Sequence, residues 1–105
     1  MSDDDILNAA RAGFLDEARD MLQQFEDSLL AIEADSQDAD AINVAFRAVH
    51  TIKGTSGLFG YDAVVSFTHE AESLLDDMRS GALAVAPDVM AALLASRDQI
   101  ERLLE

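Results

Sequence analysis

Phe14, Ala18, Met21, Leu22, Phe25, Leu29 and Ile32 recur at helical spacing through the first third of the chain. Only an α-helix collects residues so spaced onto one side. The other side carries Asp16, Arg19, Asp20, Gln23, Glu26 and Asp27, so this helix needs an apolar partner along one stripe and water along the rest. The spacing predicts a helix from about Asp4 to Glu33. Ser2 and Asp5 stand three apart, as in a capping box with Asp in the Glu position, and the Asp3-Asp4-Asp5 run suits the positive end of a helix dipole. Gly13 is the weak point, a candidate kink or close contact.

Three further segments follow without a convincing period-2 run. The acidic stretch Ala34 to Asp40 reads as a loop, with Asp38 or Ser36 as the cap of a second helix over Ala39 to Phe59. Phe46, Val49, Ile52, Ser56 and Phe59 form its buried stripe, and Gly60 ends it in a left-handed conformation. A third helix spans Tyr61 to Ser80 and stops at Gly81. Its core positions are Val64, Phe67, Ala71, Leu74, Leu75 and Met78. Residues 83–86 connect to a fourth helix opened by Pro87, a residue well tolerated in a first turn. Val89, Leu93 or Leu94, Ile100 and Leu103 or Leu104 give that helix its apolar side. Short connections make the expected architecture an all-α, antiparallel up-down four-helix bundle, one domain over residues 1–105.

Composition narrows the function. The 21 acidic residues against 7 basic ones leave a net charge of −14, which repels nucleic acid and anionic membranes and suits basic protein partners. With no cysteine, disulfides and thiolate metal sites are excluded. No apolar run approaches the ~20 residues that span a bilayer, and the acidic start lacks the form of a signal peptide. A soluble cytoplasmic protein is expected.

The chemistry concentrates on the second helix. His50, Lys53, Gly54 and Gly57 fall at i, i+3, i+4 and i+7 and share one face beside the buried stripe. The two interior glycines cost that helix roughly 1 kcal/mol each relative to alanine. What they provide is a flat surface beside His50, where another protein's backbone can approach the imidazole. Lys53 is the only lysine in the chain. On the third helix, Val65, His69, Glu72 and Asp76 share a face that can lie against it. A carboxylate accepting from imidazole Nδ1–H would fix the tautomer and leave Nε2 as the nucleophile. An ammonium nearby would offset the charge of an incoming phosphoryl group. His50 therefore reads as a phosphate acceptor displayed on a helix. Thr51, Thr55 and Ser56 are possible hydrogen-bond donors near it.

Each residue also has a plainer reading. A lone histidine, a surface lysine or one glutamate among many acids often has no chemical role, and His69 is as easily an inert surface residue. A metal site at His50, His69, Glu72 and Asp76 is disfavoured. The di-iron bundle pattern uses paired Glu-x-x-His motifs, and here the order is His69-x-x-Glu72, once only. No glycine-rich phosphate loop follows a strand, so ATP binding by this segment is not expected.

The residues Phe46-Arg47-Ala48-Val49-His50-Thr51-Ile52-Lys53-Gly54, with Gly57, Phe59-Gly60 and Thr68-His69-x-x-Glu72, resemble the histidine-containing phosphotransfer domain at the N-terminus of CheA-type chemotaxis histidine kinases. The likeness covers nearly the whole chain. It implies that His50 is phosphorylated, that Glu72 bonds its imidazole, and that Lys53 and His69 complete the polar network. It implies a two-component signalling role in which a separate ATP-binding kinase domain, using ATP and magnesium, phosphorylates His50. The phosphoryl group then passes to an aspartate of a response regulator similar to CheY or CheB. The regulator would meet the side around His50, Gly54 and Gly57, with Leu58 or Val65. No cofactor or metal is expected in this domain. A fifth helix common in the family, and its dimerisation, ATP-binding and receptor-coupling domains, are expected to lie outside these 105 residues. Autonomous kinase activity is thus not expected, and the segment should be monomeric. The competing reading is a non-catalytic helical docking module in which His50 is incidental.

Overall fold

The computed structural model describes Met1–Glu105. Four helices account for most of the chain: α1 Asp3–Ala34, α2 Ala39–Leu58, α3 Asp62–Ser80 and α4 Pro87–Leu104. Their connections are residues 35–38, 59–61 and 81–86. Six residues reach at most ~21 Å, less than the length of the helices they join, so each helix must run back along its predecessor. Each helix packs on two neighbours only, α1 on α2 and α4, and α3 on α2 and α4, which closes a square bundle. The molecule measures 50 × 21 × 20 Å, its long dimension set by α1.

Local chemistry sets the helix ends. Ser2 Oγ accepts from Asp5 N–H at 3.2 Å while Asp5 Oδ2 accepts from Ser2 N–H at 3.3 Å, the reciprocal capping box the spacing predicts. Asp38 caps α2 by accepting from Ala41 N–H at 3.0 Å. Gly81 closes α3 at φ +83°, and Gly60, at φ +76°, lets the chain turn from α2 into α3. Helix α2 stops at Leu58, one residue before the expected end. Phe59 is its C-cap, and the Phe59 and Tyr61 N–H groups both donate to the Ser56 carbonyl. Gly13 produces neither kink nor close contact: α1 runs through it, and a Cβ there would meet nothing within 4 Å.

The core fills the bundle axis. Phe25, Leu29 and Ile32 of α1 pack with Ala41, Ile42, Ala45, Ala48 and Val49 of α2, Ala71 and Leu75 of α3, and Met90 and Leu93 of α4. Nearer the other end, Phe14, Ala18 and Leu22 meet Ile52, Val64, Ile100 and Leu104. The alanines of α2 let the neighbouring helices approach closely. Several expected core positions, Met21, Phe46, Phe59, Phe67 and Leu74, are half-buried at its rim. Phe59 spends its ring on Phe14, stacked at 4.9 Å. Ser28 and Thr68, which lie outside the expected core stripes, are also buried. Each hydroxyl donates to the carbonyl four residues back, at 2.6 and 2.8 Å, so its burial leaves no unpaired donor. No helix is long and apolar enough to cross a membrane.

Candidate functional site

The packing of α2 against α3 brings His50 and Glu72 together across the helix pair. His50 Nδ1 lies 3.1 Å from Glu72 Oε2, and Lys53 Nζ lies 2.8 Å from the same oxygen. The lysine is one turn after the histidine, so both reach one carboxylate that projects from α3 between them. The imidazole is the exposed member of the trio, with 62 % of its side chain open to solvent against 24 % for Lys53 and 17 % for Glu72. A carboxylate can only accept, so the geometry assigns the Nδ1 proton to the bond with Glu72. Nε2 then carries the free lone pair and has no protein partner.

Partial burial acts to raise the Glu72 pKa, but the bonds from Lys53 and His50 and their charges outweigh it. The carboxyl is held below its ordinary 4.5. A carboxyl with a lowered folded-state pKa favours folding while ionised. Its contribution is therefore complete above 4.5 and lost as pH falls through the lowered value. The gap between the melting temperatures of the wild type and Glu72→Gln should accordingly shrink as pH falls from 4.5 through the lowered value. A gap that persists unchanged at pH 3 would contradict this.

The His50 imidazole stands at the exposed surface of the bundle. The two principal clefts lie elsewhere: one of about 420 Å³ between α1 and α4, lined by Ile32, Val85, Pro87 and Met90, and one beside Arg47 and Arg79. His50 lines neither. A Cβ on Gly54 would meet nothing within 4 Å, and one on Gly57 would sit 3.9 Å from Val65 Cγ2, in ordinary contact. Neither glycine is required by packing. Leu58 is 82 % exposed, and Val65 is half-buried.

Not every expected residue joins the site. His69 is exposed and makes no hydrogen bond to His50, Lys53 or Glu72. It lies about 100° around α3 from the buried Thr68, a position turned to water. Thr51 and Thr55 donate to the carbonyls of Arg47 and Thr51, and the buried Ser56 hydroxyl has no partner, so none of the three serves the imidazole. No three His, Asp or Glu side chains converge as metal ligands. Periodicity placed Phe46 in the buried stripe, but its ring stacks parallel to His50, with centroids 6.0 Å apart and planes 6° apart. The i, i+4 spacing of the two residues was the available signal. The Arg79 guanidinium on that ring, 4.1 Å from its centroid, spans two helices and left none.

The chain matches the Hpt domain family over residues 9–105. It is 39 % identical over 92 residues to a chemotaxis protein CheA of Rhizobium meliloti, covering 88 % of this chain and 12 % of that one. The chain thus spans about an eighth of the length of that relative. Among solved structures, the CheA phosphotransferase domain from Thermotoga maritima superposes with a TM-score of 0.87 at 33 % identity, covering 91 % of each chain. The phosphorylated P1 domain of CheA3 in complex with CheY6 from R. sphaeroides gives 0.82 at 32 % identity, covering 90 % of this chain and 73 % of that one.

Proposed function

This chain belongs to the Hpt domain family, and from that premise we propose that it is the phosphoryl carrier of a CheA-type kinase, with His50 as the acceptor. One observation carries the reading: an exposed imidazole whose Nδ1 is bonded to Glu72 and whose Nε2 faces solvent. In the first transfer the Nε2 lone pair attacks the γ-phosphorus of ATP held by a separate kinase domain with its magnesium. The N–P bond forms as the bond to the ADP oxygen breaks. Nδ1 keeps its proton, so the ring becomes cationic, and Glu72 balances that charge. In the second transfer an aspartate carboxylate of a CheY- or CheB-like regulator attacks the same phosphorus. The N–P bond breaks and the neutral imidazole returns.

Lys53 has two parts in this scheme. Its bond to Glu72 steadies the carboxylate, and its charge lies one turn from the incoming phosphoryl group. The domain itself holds no cofactor, and its four apolar stripes face one another, which supports a monomeric module.

The regulator docks on the face of His50, Gly54, Gly57, Leu58 and Val65. Incubation with a CheA-type kinase domain, labelled ATP and then a regulator tests the scheme. Label should enter this chain and leave it for the regulator. Absence of label from this chain would refute the proposal and leave a docking module. Gly54→Arg should retain or raise thermal stability, because the position is an open helical one. The bulk beside His50 should nonetheless slow transfer to the regulator at least ~10-fold. Transfer at the wild-type rate would move the docking face elsewhere.

A further inference from the structure

We propose that Phe46, held in place by Arg79, is a positioning residue that sets the plane of the His50 imidazole. The inference rests on the phosphocarrier reading of His50 and adds a second support to it. One hydrogen bond at Nδ1 fixes a point on the ring but leaves the plane free to swing about it. A side chain 62 % exposed has few other neighbours to stop that motion. The Phe46 ring supplies the missing constraint. It lies one turn before His50 on α2, parallel within 6°, at a centroid distance of 6.0 Å.

Phe46 is in turn anchored. It is half-buried and packs against the core on one side, while the Arg79 guanidinium rests on its ring at 4.1 Å. Asp76, one turn before Arg79 on α3, pairs with that guanidinium and limits its movement. The chain of contacts therefore runs from Asp76 through Arg79 and Phe46 to His50. Glu72 approaches the imidazole from the same helix α3. With both supports in place, Nδ1 is directed at the carboxylate and Nε2 at the surface. Without the aromatic face the ring leaves Glu72 for part of the time and adopts the tautomer preferred by histidine in water, with the proton on Nε2. That tautomer has no lone pair on Nε2, the nitrogen that faces the phosphoryl donor.

The test compares Phe46→Leu, which keeps an apolar filler but no flat face, with Phe46→Tyr, which restores the face, and with Arg79→Gln. Two quantities are read: the fraction of His50 carrying its proton on Nδ1, from nitrogen-15 spectra of the unphosphorylated protein, and the rate of phosphate uptake from a kinase domain. In Phe46→Leu the Nδ1–H fraction should fall and uptake should slow about 10-fold, as expected of a misplaced reacting atom. Phe46→Tyr should restore both to within about twofold. Arg79→Gln should shift both in the same direction as Phe46→Leu with an unchanged melting midpoint. Wild-type tautomer populations and uptake in Phe46→Leu would overturn the proposal. Should that variant fail to fold, the same null result in Arg79→Gln would overturn it. The nitrogen spectra need no kinase, so failure of the wild type to take up phosphate would sink the carrier reading while the role of Phe46 is still decided.

Discussion

Replacing His50 with glutamine should abolish phosphate uptake while leaving the bundle folded. The expected loss is complete because glutamine has no nucleophilic nitrogen: its amide lone pair is delocalised into the carbonyl. The effect on stability should stay within about 1 kcal/mol, as for most exposed substitutions. His50 lies outside the core, and the Lys53–Glu72 bond survives its removal. Glutamine is also a slightly better helix former than histidine. The measurement pairs a thermal melt with labelling by a kinase domain. A folded variant that takes label as well as the wild type would place the acceptor elsewhere in the chain.

The second large effect is expected at Glu72. Glu72→Ala removes the one oxygen that Nδ1 and Lys53 share. The imidazole then loses the bond that fixes its tautomer and the charge that balances the phosphorylated ring. Losses of this kind, in groups that orient a reacting histidine, cost about 10–100-fold, and a fall of that size in the phosphorylation rate is expected. Stability should change far less. Lys53 is 24 % exposed, so its freed ammonium can turn to water, and alanine favours the helix. The destabilisation should not exceed about 1 kcal/mol. Glu72→Gln should fall between the two rates, since its amide oxygen still accepts from Nδ1–H but carries no charge. A rate for Glu72→Ala within twofold of the wild type would remove the carboxylate from the mechanism.

Features governed by neighbours in the chain were legible before any coordinates. The stripe of α1, the caps at Ser2 and Asp38, and the turns at Gly60 and Gly81 all follow from residues within a few positions of one another. The partnership of His50 and Glu72 could be named from the shared faces of two helices and from the family likeness. Their separation depends on how far α3 slides along α2, which no periodicity encodes. For the same reason the contact of the Lys53 ammonium with Glu72 could not be read from spacing. The burial of Thr68 and Ser28 is not legible from apolar spacing, because a hydroxyl bonded within its own helix buries like an apolar group. Phe46 was counted as core because spacing separates faces but not core from rim, and the rim is where its ring meets His50 and Arg79.

The phosphorylated protein offers the most direct check, because the two imidazole nitrogens have different fates in this account. Nδ1 is committed to Glu72 and Nε2 is open. Nitrogen–phosphorus coupling in the labelled protein should place the phosphoryl group on Nε2 of His50, with a proton still on Nδ1. A phosphoryl group found on Nδ1, or on any other side chain, would contradict it.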